Sequence, residues 1–257
     1  MKTRVIRSGA PRPLAHYSEA VVAGPFIFAA GQIASDYKTG IPPEARVDPA
    51  FPYYGSEIER QTEYVLKNLS MTFEAAGASL DNVVKAQVFM ADLDDFYAFD
   101  KVWKRFFKEP PPRTTVGTTG LLVPGCLVEI DLIGYAPGGG VERQAVVSSA
   151  PNPLANYSEA IRAGDFLFAA GQIASDYETG VPPEARVDPA FPYYGSELER
   201  QTDYILKNLT KTFEAAGASL DNVVKAQVFM TDLDNFSAFD KVWQNHFSTP
   251  PPRTTVG

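Results

Sequence analysis

The chain of 257 residues is long enough for two domains of ordinary size, and its 45% hydrophobic and 21% charged residues are typical of a folded globular protein. A formal net charge of −8 gives no long-range attraction for nucleic acid or an anionic membrane, so neither is an expected partner. No apolar run is long enough to span a membrane, no signal-peptide core follows the first residues, and a single cysteine excludes an intramolecular disulfide. These features predict a cytoplasmic protein.

A tandem repeat organises the whole chain. Residues 11–117 align without a gap on residues 151–257, and most aligned positions are identical. The sequence Pro-Gly-Gly-Gly at 137–140 joins the copies as a short flexible linker. The predicted boundaries follow the repeat: a first domain at 1–137, a linker at 138–140 and a second domain at 141–257.

The first half of each copy reads as strands. In the first copy, residues 2–8 predict one strand, and the apolar runs at 17–23 and 26–33 predict two more that form a hairpin. Gly31 lies inside the last run and indicates a bulge or a close approach of another group to the backbone.

A long proline-rich loop follows at about residues 35–55 and holds three aromatic residues, Phe51, Tyr53 and Tyr54. Its length and its near-identity in the two copies favour the wall or lid of a site over an idle connection. Ser56-Glu57-Ile58-Glu59 is a capping box that opens a helix, and Gly77 ends that helix. The apolar face of this helix is Ile58, Val65, Leu66, Leu69 and Phe73.

The second half of the copy alternates strand and helix. Residues 83–90 predict a strand, and Asp95 is a candidate N-cap of a second helix. That helix has an apolar face that we interpret as core: Phe96, Phe99, Val102, Trp103 and Phe106. A strand at 113–117 and a final strand at 127–135 complete the copy. The chain is therefore predicted to be α+β, with about six strands and two helices per copy and both helices on one face of a mixed sheet. The other sheet face is also apolar and needs a partner.

The octapeptide at 110–117 returns unchanged at 250–257. Three prolines give a stiff, extended entry, and Thr-Thr-Val then predicts the start of a strand. Arg113 lies at this junction, where its guanidinium can be held in one place to receive a planar carboxylate. The alternative is an ordinary surface arginine at a strand start.

Few residue types are available for catalysis in both copies. Neither histidine is repeated, because His16 is matched by Asn156 and His246 by Phe106. No cluster of His, Cys and carboxylates has metal-ligand spacing, and no glycine-rich nucleotide motif is present, so no metal and no cofactor are expected. The lone Cys126 is interpreted as a small apolar residue. Arginine, carboxylates, tyrosine, threonine, backbone groups and water remain, which suits a reaction with a low barrier such as imine hydrolysis.

An ordered series of short motifs carries a resemblance to a known family. The motifs are Tyr17-Ser18-Glu19-Ala20, Ala30-Gly31-Gln32-Ile33, Glu74-Ala75-Ala76-Gly77-Ala78-Ser79-Leu80, Val83-Val84-Lys85, Val88-Phe89-Met90, Asp92-Leu93, Pro112-Arg113 and Val128-Glu129-Ile130. In this order they resemble the Rid family of reactive-intermediate deaminases, also labelled L-PSP endoribonucleases, over nearly all of both copies. The resemblance implies a chorismate-mutase-like α+β fold in each copy and a homotrimer with ligand clefts between neighbouring domains. It also implies metal-free hydrolysis of enamines and imines, such as 2-aminoacrylate, to 2-keto acids and ammonia.

The resemblance also implies roles for particular residues. By position, Arg113 matches the family's carboxylate-binding arginine, Tyr17 its cleft tyrosine and Glu129 its water-positioning glutamate. In the second copy the matches are Arg253 and Tyr157, and the glutamate's position lies beyond the last residue. Further expected substrate-binding residues are Gln32, Thr115, Gln172 and Thr255.

Residue patterns agree with two of these roles and leave alternatives open. Glu129 lies between two apolar residues of an alternating strand, so it points away from them and could orient a water. It could equally be a solvated carboxylate on the polar face of that strand. Tyr17 could pack in an interface instead of contacting a ligand.

Some positions depart from the family's pattern. Thr114-Thr115 replaces the usual small Ser/Cys pair, Gly117 stands where known members carry an acid, and the loop at 35–55 is longer than in short members. These differences leave room for a larger enamine than 2-aminoacrylate, such as an aminomuconate-like ring-cleavage product, which would resemble another known branch of the family.

Two other functions compete with an enamine deaminase. A non-catalytic binding module could use the same arginine to sense a small carboxylate. The ribonuclease that the family's older label suggests is disfavoured, because the chain is acidic and has no repeated histidine.

The second copy stops before the counterpart of the final strand. A domain without that strand would leave a neighbouring strand's backbone groups unpaired. We therefore expect the natural polypeptide to continue by about 20 residues that resemble 118–136. Intact-mass measurement of the native protein tests this expectation.

Overall fold

The computed structural model describes residues 3–12, 15–51, 54–152, 155–191 and 195–257. The described residues of the first repeat form seven strands and two α-helices. The strands are β1 (Thr3–Ile6), β2 (Ala20–Ala23), β3 (Phe26–Ala29), β4 (Gln32–Ile33), β5 (Val83–Met90), β6 (Arg113–Gly117) and β7 (Val128–Tyr135). The helices are α1 (Glu57–Ala75) and α2 (Phe96–Phe106). The fold is α+β, as predicted. Lys2 and Tyr53, which the predicted first strand and the long loop include, lie outside the described residues.

One mixed sheet contains all seven strands. Its order is β1-β2-β3-β7-β5-β6, and β4 pairs separately with β7. Only β5 and β6 run parallel, and β7 joins the N-terminal hairpin to β5. The run at 26–33, predicted as one strand, is instead two strands separated at Ala30-Gly31.

The core of the first repeat lies between this sheet and the two helices. Ser56 and Glu59 form the predicted capping box of α1, and Gly77 ends the helix with a positive φ of 85°. All five predicted apolar residues of α1 are buried, as are Phe99, Val102 and Trp103 of α2. They face alternate residues of β7, namely Val128, Ile130 and Leu132. Asp95 occupies the N-cap position of α2, but its side chain makes no capping hydrogen bond.

Strands of the second repeat form two smaller sheets. One contains β8 (Arg143–Val146), β9 (Ala160–Ala163) and β10 (Phe166–Ala169), and the other pairs β11 (Ala226–Phe229) with β12 (Arg253–Val256). The helices are α3 (Glu197–Ala215) and α4 (Phe236–His246). Residues 172–173 are not a strand, unlike β4. In the first repeat, β4 is held by its pairing with β7.

The compact units of the structure do not follow the repeat boundary. The first unit is residues 1–145 with 155–171, and the second is 146–154 with 172–257. Within the first unit, the β9–β10 hairpin covers part of the sheet face that the helices leave open. Phe26 and Val84 of the first repeat are buried there with Ile161 and Ala163. The apolar face that the sequence predicted to need a partner thus has one inside the first unit.

Candidate active site

Arg113 is the first residue of β6 and is 2% exposed. Its Nη2 donates a hydrogen bond of 2.9 Å to Oδ1 of Asp100 on α2. Its guanidinium carbon lies 5.4, 5.0 and 4.9 Å from the ring centres of Phe96, Phe99 and Trp103. These four residues share one face of α2, so helical spacing builds a cage of one carboxylate and three rings. Thr115 follows two residues later on the same side of β6, half-buried.

The Arg113 guanidinium is held in place, but not all of its N–H groups have a hydrogen-bond acceptor. Its Nη1 is buried and has no hydrogen-bond partner among the described residues. Burial lowers the pKa of Arg113, and the charge of Asp100 acts against that shift. A buried N–H group without an acceptor is costly, so an anion that reaches Nη1 would gain a charge-assisted hydrogen bond.

Residues 155–171 of the second repeat approach this arginine within the first unit. The guanidinium carbon of Arg113 lies 5.7 Å from the ring centre of Tyr157. Ser158 Oγ donates to the carbonyl of Pro110 at 2.6 Å, and Gly171 N donates to the carbonyl of Arg113 at 3.3 Å. A Cβ on Gly171 would lie only 2.9 Å from the Thr114 side chain, so this contact requires glycine.

Lys85, on the neighbouring strand β5, also holds residues 155–171 against β6. Its Nζ donates to Thr114 Oγ1 at 2.8 Å and to the carbonyl of Ala169 at 2.6 Å. Burial lowers the pKa of Lys85 to about 8, opposed by the charge of Asp131. Burial raises the pKa of Asp131 to about 6, with the charge of Glu129 adding to the shift and that of Lys85 opposing it. Neither residue was expected in the site: Lys85 was named only within the Val83-Val84-Lys85 motif, and Asp131 alternates with Glu129 on a strand whose other residues are mostly apolar.

Glu129 lies on β7 with its side chain on the face opposite to Val128 and Ile130. Its carboxylate occupies the space beside Gly31, where an added Cβ would lie 3.0 Å from the Glu129 carboxyl carbon and still closer to its Oε1. The close approach predicted at Gly31 is therefore confirmed, and the group that approaches is this carboxylate. Burial raises the pKa of Glu129.

Tyr17 lies next to Tyr37, a residue that sequence analysis did not single out. The two hydroxyl oxygens are 3.4 Å apart. Tyr17 is 42% exposed and Tyr37 is 9% exposed, and both line a cavity of about 320 Å³. The sequence does contain a signal for Tyr37, because Ser-Asp-Tyr occurs in the long loop of both copies, at 35–37 and 175–177.

Gln32 lies apart from these groups. It is 1% exposed, and neither its Oε1 nor its Nε2 has a hydrogen-bond partner among the described residues. It pairs across the strands with Ile130, whose side chain is in the helix-side core. Directly opposed residues of an antiparallel pair share a face, so Gln32 lies on the helix side, away from Glu129.

The second repeat rebuilds the arginine cage from the same residue types. Arg253 Nη2 donates to Asp240 at 2.9 Å, and its guanidinium carbon lies 5.3, 5.0 and 4.9 Å from the rings of Phe236, Phe239 and Trp243. The Arg253 side chain is 16% exposed, against 1% for Arg113. The two remaining predicted residues, Thr255 and Gln172, are both half-buried.

Apart from Gln32, the predicted residues of the first repeat thus lie in two groups, and the second group also contains Tyr37, which was not predicted. Arg113 and Thr115 face α2, and Tyr157 of the second repeat lies beside that arginine. Glu129, Gly31, Tyr17 and Tyr37 lie together elsewhere. Arg113 and Glu129 point to opposite faces of one sheet, so a single domain does not bring them to one ligand.

The two arginine cages predict different stability effects. Asp100→Ala leaves Arg113 buried without its counter-ion, and we expect a loss of about 3–5 kcal/mol in unfolding free energy. Asp240→Ala removes the matching pair where both side chains are partly exposed, so its loss should be about 1 kcal/mol or less. Urea unfolding of both variants measures the difference. Equal losses would contradict the role assigned to burial.

The described residues also bear on three other possibilities: a metal site, a reactive cysteine and a membrane-spanning helix. No group of three or more His, Cys, Asp or Glu side chains within the described part of the chain could hold a metal ion. Cys126 is buried, its Sγ lies 3.7 Å from the carbonyl oxygen of Ala34, and burial raises its pKa. Among the helices described, none combines the length and apolar character needed to cross a membrane.

Fold and site together define a duplicated α+β protein whose halves each hold an arginine in an aromatic cage. A family described as Endoribonuclease L-PSP matches residues 7–136 and again residues 147–257. The chain therefore belongs to this family, also called Rid, and has its chorismate-mutase-like fold. Membership supports a deaminase role at the level of the family.

Individual relatives match about half of the chain. A RutC family protein of Pyrococcus horikoshii is 36% identical over 135 residues, which are 52% of this chain and 98% of that protein. A RutC family protein of Synechocystis is 36% identical over 141 residues, 53% of this chain and 99% of that protein. A crystal structure from Thermotoga maritima is 35% identical, covers 54% of this chain and 100% of its own, and gives a TM-score of 0.45.

Proposed function

We propose that this chain hydrolyses enamines and imines, converting 2-imino acids to 2-keto acids and ammonia. The observation that carries the proposal is the buried Nη1 of Arg113, which has no acceptor among the described residues although the guanidinium is fixed on all sides. A substrate carboxylate supplies the missing acceptor, and the Tyr157 ring beside the guanidinium bounds its position.

Glu129 provides the base in this proposal. Burial raises its pKa, which makes its ionised form a stronger proton acceptor. It takes a proton from water as the water oxygen bonds to the imine carbon and the C=N electron pair moves to nitrogen, and the Glu129 carboxyl then gives that proton to the nitrogen. The resulting carbinolamine collapses when Glu129 carries the hydroxyl proton to the nitrogen, the oxygen lone pair forms C=O and the C–N bond breaks. One water is consumed, and one 2-keto acid and one ammonia leave.

The complete site combines groups from neighbouring domains. Arg113 and Glu129 of one domain point to opposite sheet faces, so each must work with a partner from another domain. The contact of Arg113 with Tyr157 supports this arrangement, because the tyrosine comes from the other repeat. A small carboxylate is the proposed ligand, with no role for nucleic acid, membrane or metal.

We propose that three chains associate into a homotrimer. Val84 is completely buried under the β9–β10 hairpin, whereas its counterpart Val224 is 70% exposed. The β2–β3 hairpin of another chain would cover that second face, and a closed ring repeats this contact in every chain. Light scattering should give a particle mass three times that of the chain. A stable monomer or dimer would contradict the trimer.

The activity is tested with imino acids that an L-amino acid oxidase generates in situ from L-amino acids. Semicarbazide traps the imine, so an imine hydrolase diverts product from the semicarbazone to the free 2-keto acid and ammonia. We expect the wild-type chain to accelerate this diversion for at least one member of a panel that runs from small to large side chains. No acceleration on any member would refute the deaminase.

A binding module is the second candidate. The same arginine cage suits it equally well, so it predicts saturable binding of 2-keto acids without turnover. The ribonuclease named in the family's description is disfavoured by the net charge of −8, which repels a polyanion.

A further inference from the structure

Tyr37 is held in a backbone conformation that few non-glycine residues adopt. Its φ is 58°, in the left-handed region, and the corresponding Tyr177 has a φ of 62°. Such a conformation is disfavoured for a bulky side chain and persists only where the surroundings enforce it. Both copies adopt it, so the position of this ring is a repeated feature of the chain.

A dense turn enforces the conformation. Asp36 Oδ1 accepts hydrogen bonds from Lys38 N at 2.8 Å and Thr39 N at 2.7 Å, and its Oδ2 accepts one from Thr39 Oγ1 at 2.6 Å. Tyr37 N itself donates to Ser35 Oγ at 2.9 Å. These hydrogen bonds fix the backbone of the turn, and the Tyr37 side chain points inward, where it is 9% exposed.

The ring enters the cavity that also contains Tyr17. Besides the two tyrosines, the cavity of about 320 Å³ is lined by Ala15, Ser35, Gly40, Leu122 and Val123, and by Lys38, which is exposed at its edge. Burial raises the pKa of Tyr37, the hydrogen bond to Tyr17 raises it further, and the nearby charge of Glu129 adds to both. The phenol therefore stays neutral, and its ring and that of Tyr17 are aromatic walls of the cavity. Its volume is at the lower end of the range for small-molecule sites.

We propose that Tyr37 sets the substrate specificity of this site by forming, with Tyr17, Leu122 and Val123, a pocket for an apolar substrate side chain. The substrate class is then 2-imino acids with large aliphatic or aromatic side chains, rather than the imine of alanine. This inference rests on the proposed deaminase function and specifies its substrate. An apolar group that fills the pocket gains contact with two rings, whereas a methyl group leaves most of the volume empty.

The direct test replaces the tyrosine in both copies. Asparagine tolerates the left-handed conformation, so Tyr37→Asn with Tyr177→Asn removes the rings while the turn can keep its shape. We expect kcat/KM for the imines of leucine and phenylalanine to fall about tenfold or more, since even one methylene in an apolar pocket is worth about tenfold. The imine of alanine should change less than about twofold. Tyr37→Phe with Tyr177→Phe keeps both rings and should retain the preference.

A matched control replaces Tyr97, which is 85% exposed on α2, by asparagine and should leave every imine unchanged. Circular dichroism and the thermal midpoint establish that the variants are folded. Equal losses on small and large imines, or no loss on either, would overturn the inference while the deaminase function stands. A wild-type chain inactive on all imines would overturn the function itself.

A second measurement needs no variant and applies if the asparagine protein does not fold. Product-like 2-keto acids are tested as inhibitors of the wild-type chain, with pyruvate compared against 4-methyl-2-oxopentanoate and phenylpyruvate. We expect the two larger acids to inhibit about tenfold more strongly than pyruvate. Equal or stronger inhibition by pyruvate would show that the pocket does not select side chains.

Discussion

Replacing Arg113 and Arg253 together by lysine is expected to lower kcat/KM for imino acids by roughly two to three decades in a protein that stays folded. A lysine keeps the positive charge beside Asp100 and Asp240 but cannot present two parallel N–H donors to a carboxylate. Loss of such a charge-assisted fork should cost about 2–4 kcal/mol in transition-state binding. The measurement is initial-rate kinetics on the imine panel.

Lysine is a more informative substitution than alanine because alanine would also remove the positive charge beside a buried carboxylate. Asp100 is 6% exposed in its side chain, and alanine at 113 would leave that carboxylate without the arginine. Loss of activity would then be confused with loss of fold. Arg105→Lys serves as the control, since Arg105 makes an exposed ion pair with Glu63 on the helix surface. A folded double variant with full activity would contradict the proposal that the two arginines bind the substrate carboxylate.

Glu129→Gln is expected to reduce turnover by about 10²- to 10⁴-fold, the contribution usual for a positioned general base. Glutamine has nearly the same shape, so the packing against Gly31 should persist, but its amide cannot accept the proton. Binding of 2-keto acids should change little. A binding module, in contrast, would lose nothing, because it has no turnover to lose.

The pH dependence follows from the same residue. The ionised form of Glu129 is the active one, and burial raises its pKa above the ordinary 4.5. Activity of the wild type should therefore fall as the pH drops through that raised pKa, at a higher pH than for a solvent-exposed glutamate. The glutamine variant should lack this acid limb. Glu74→Gln, on the exposed surface of α1, is the matched control that should retain both rate and profile.

Much of the fold followed from short-range rules. The capping box at Ser56, the positive φ at Gly77 and the apolar spacing of α1 each act within a few residues, and the sequence showed them directly. The interruption at Gly31 was also visible, because glycine in a strand pattern signals a close approach. The approaching group was not visible, since Glu129 is distant in sequence and reaches Gly31 only through the pairing of β4 with β7.

The site was less predictable because its residues meet through topology. Strand alternation placed Glu129 opposite to Val128 and Ile130, but nothing local showed that Arg113 faces the helices. Asp100 carried no signal of its own in the sequence, and only the parallel pairing of β5 with β6 brings Arg113 over its helix. Gln32 was grouped with Glu129 on the resemblance, and its pairing with Ile130 separates the two.

The meeting of Arg113 with Tyr157 has an evolutionary consequence. In an assembly of identical single-domain subunits, every mutation appears on both sides of every cleft. Here Arg113 is encoded in the first copy and the tyrosine beside it, Tyr157, in the second, so each can diverge alone. The copies already differ beside the tyrosines: Asn156 stands where the first copy has His16 and donates to the carbonyl of Phe107 at 3.4 Å. Tandem duplication thus lets one polypeptide vary the two sides of this contact independently, without a second gene.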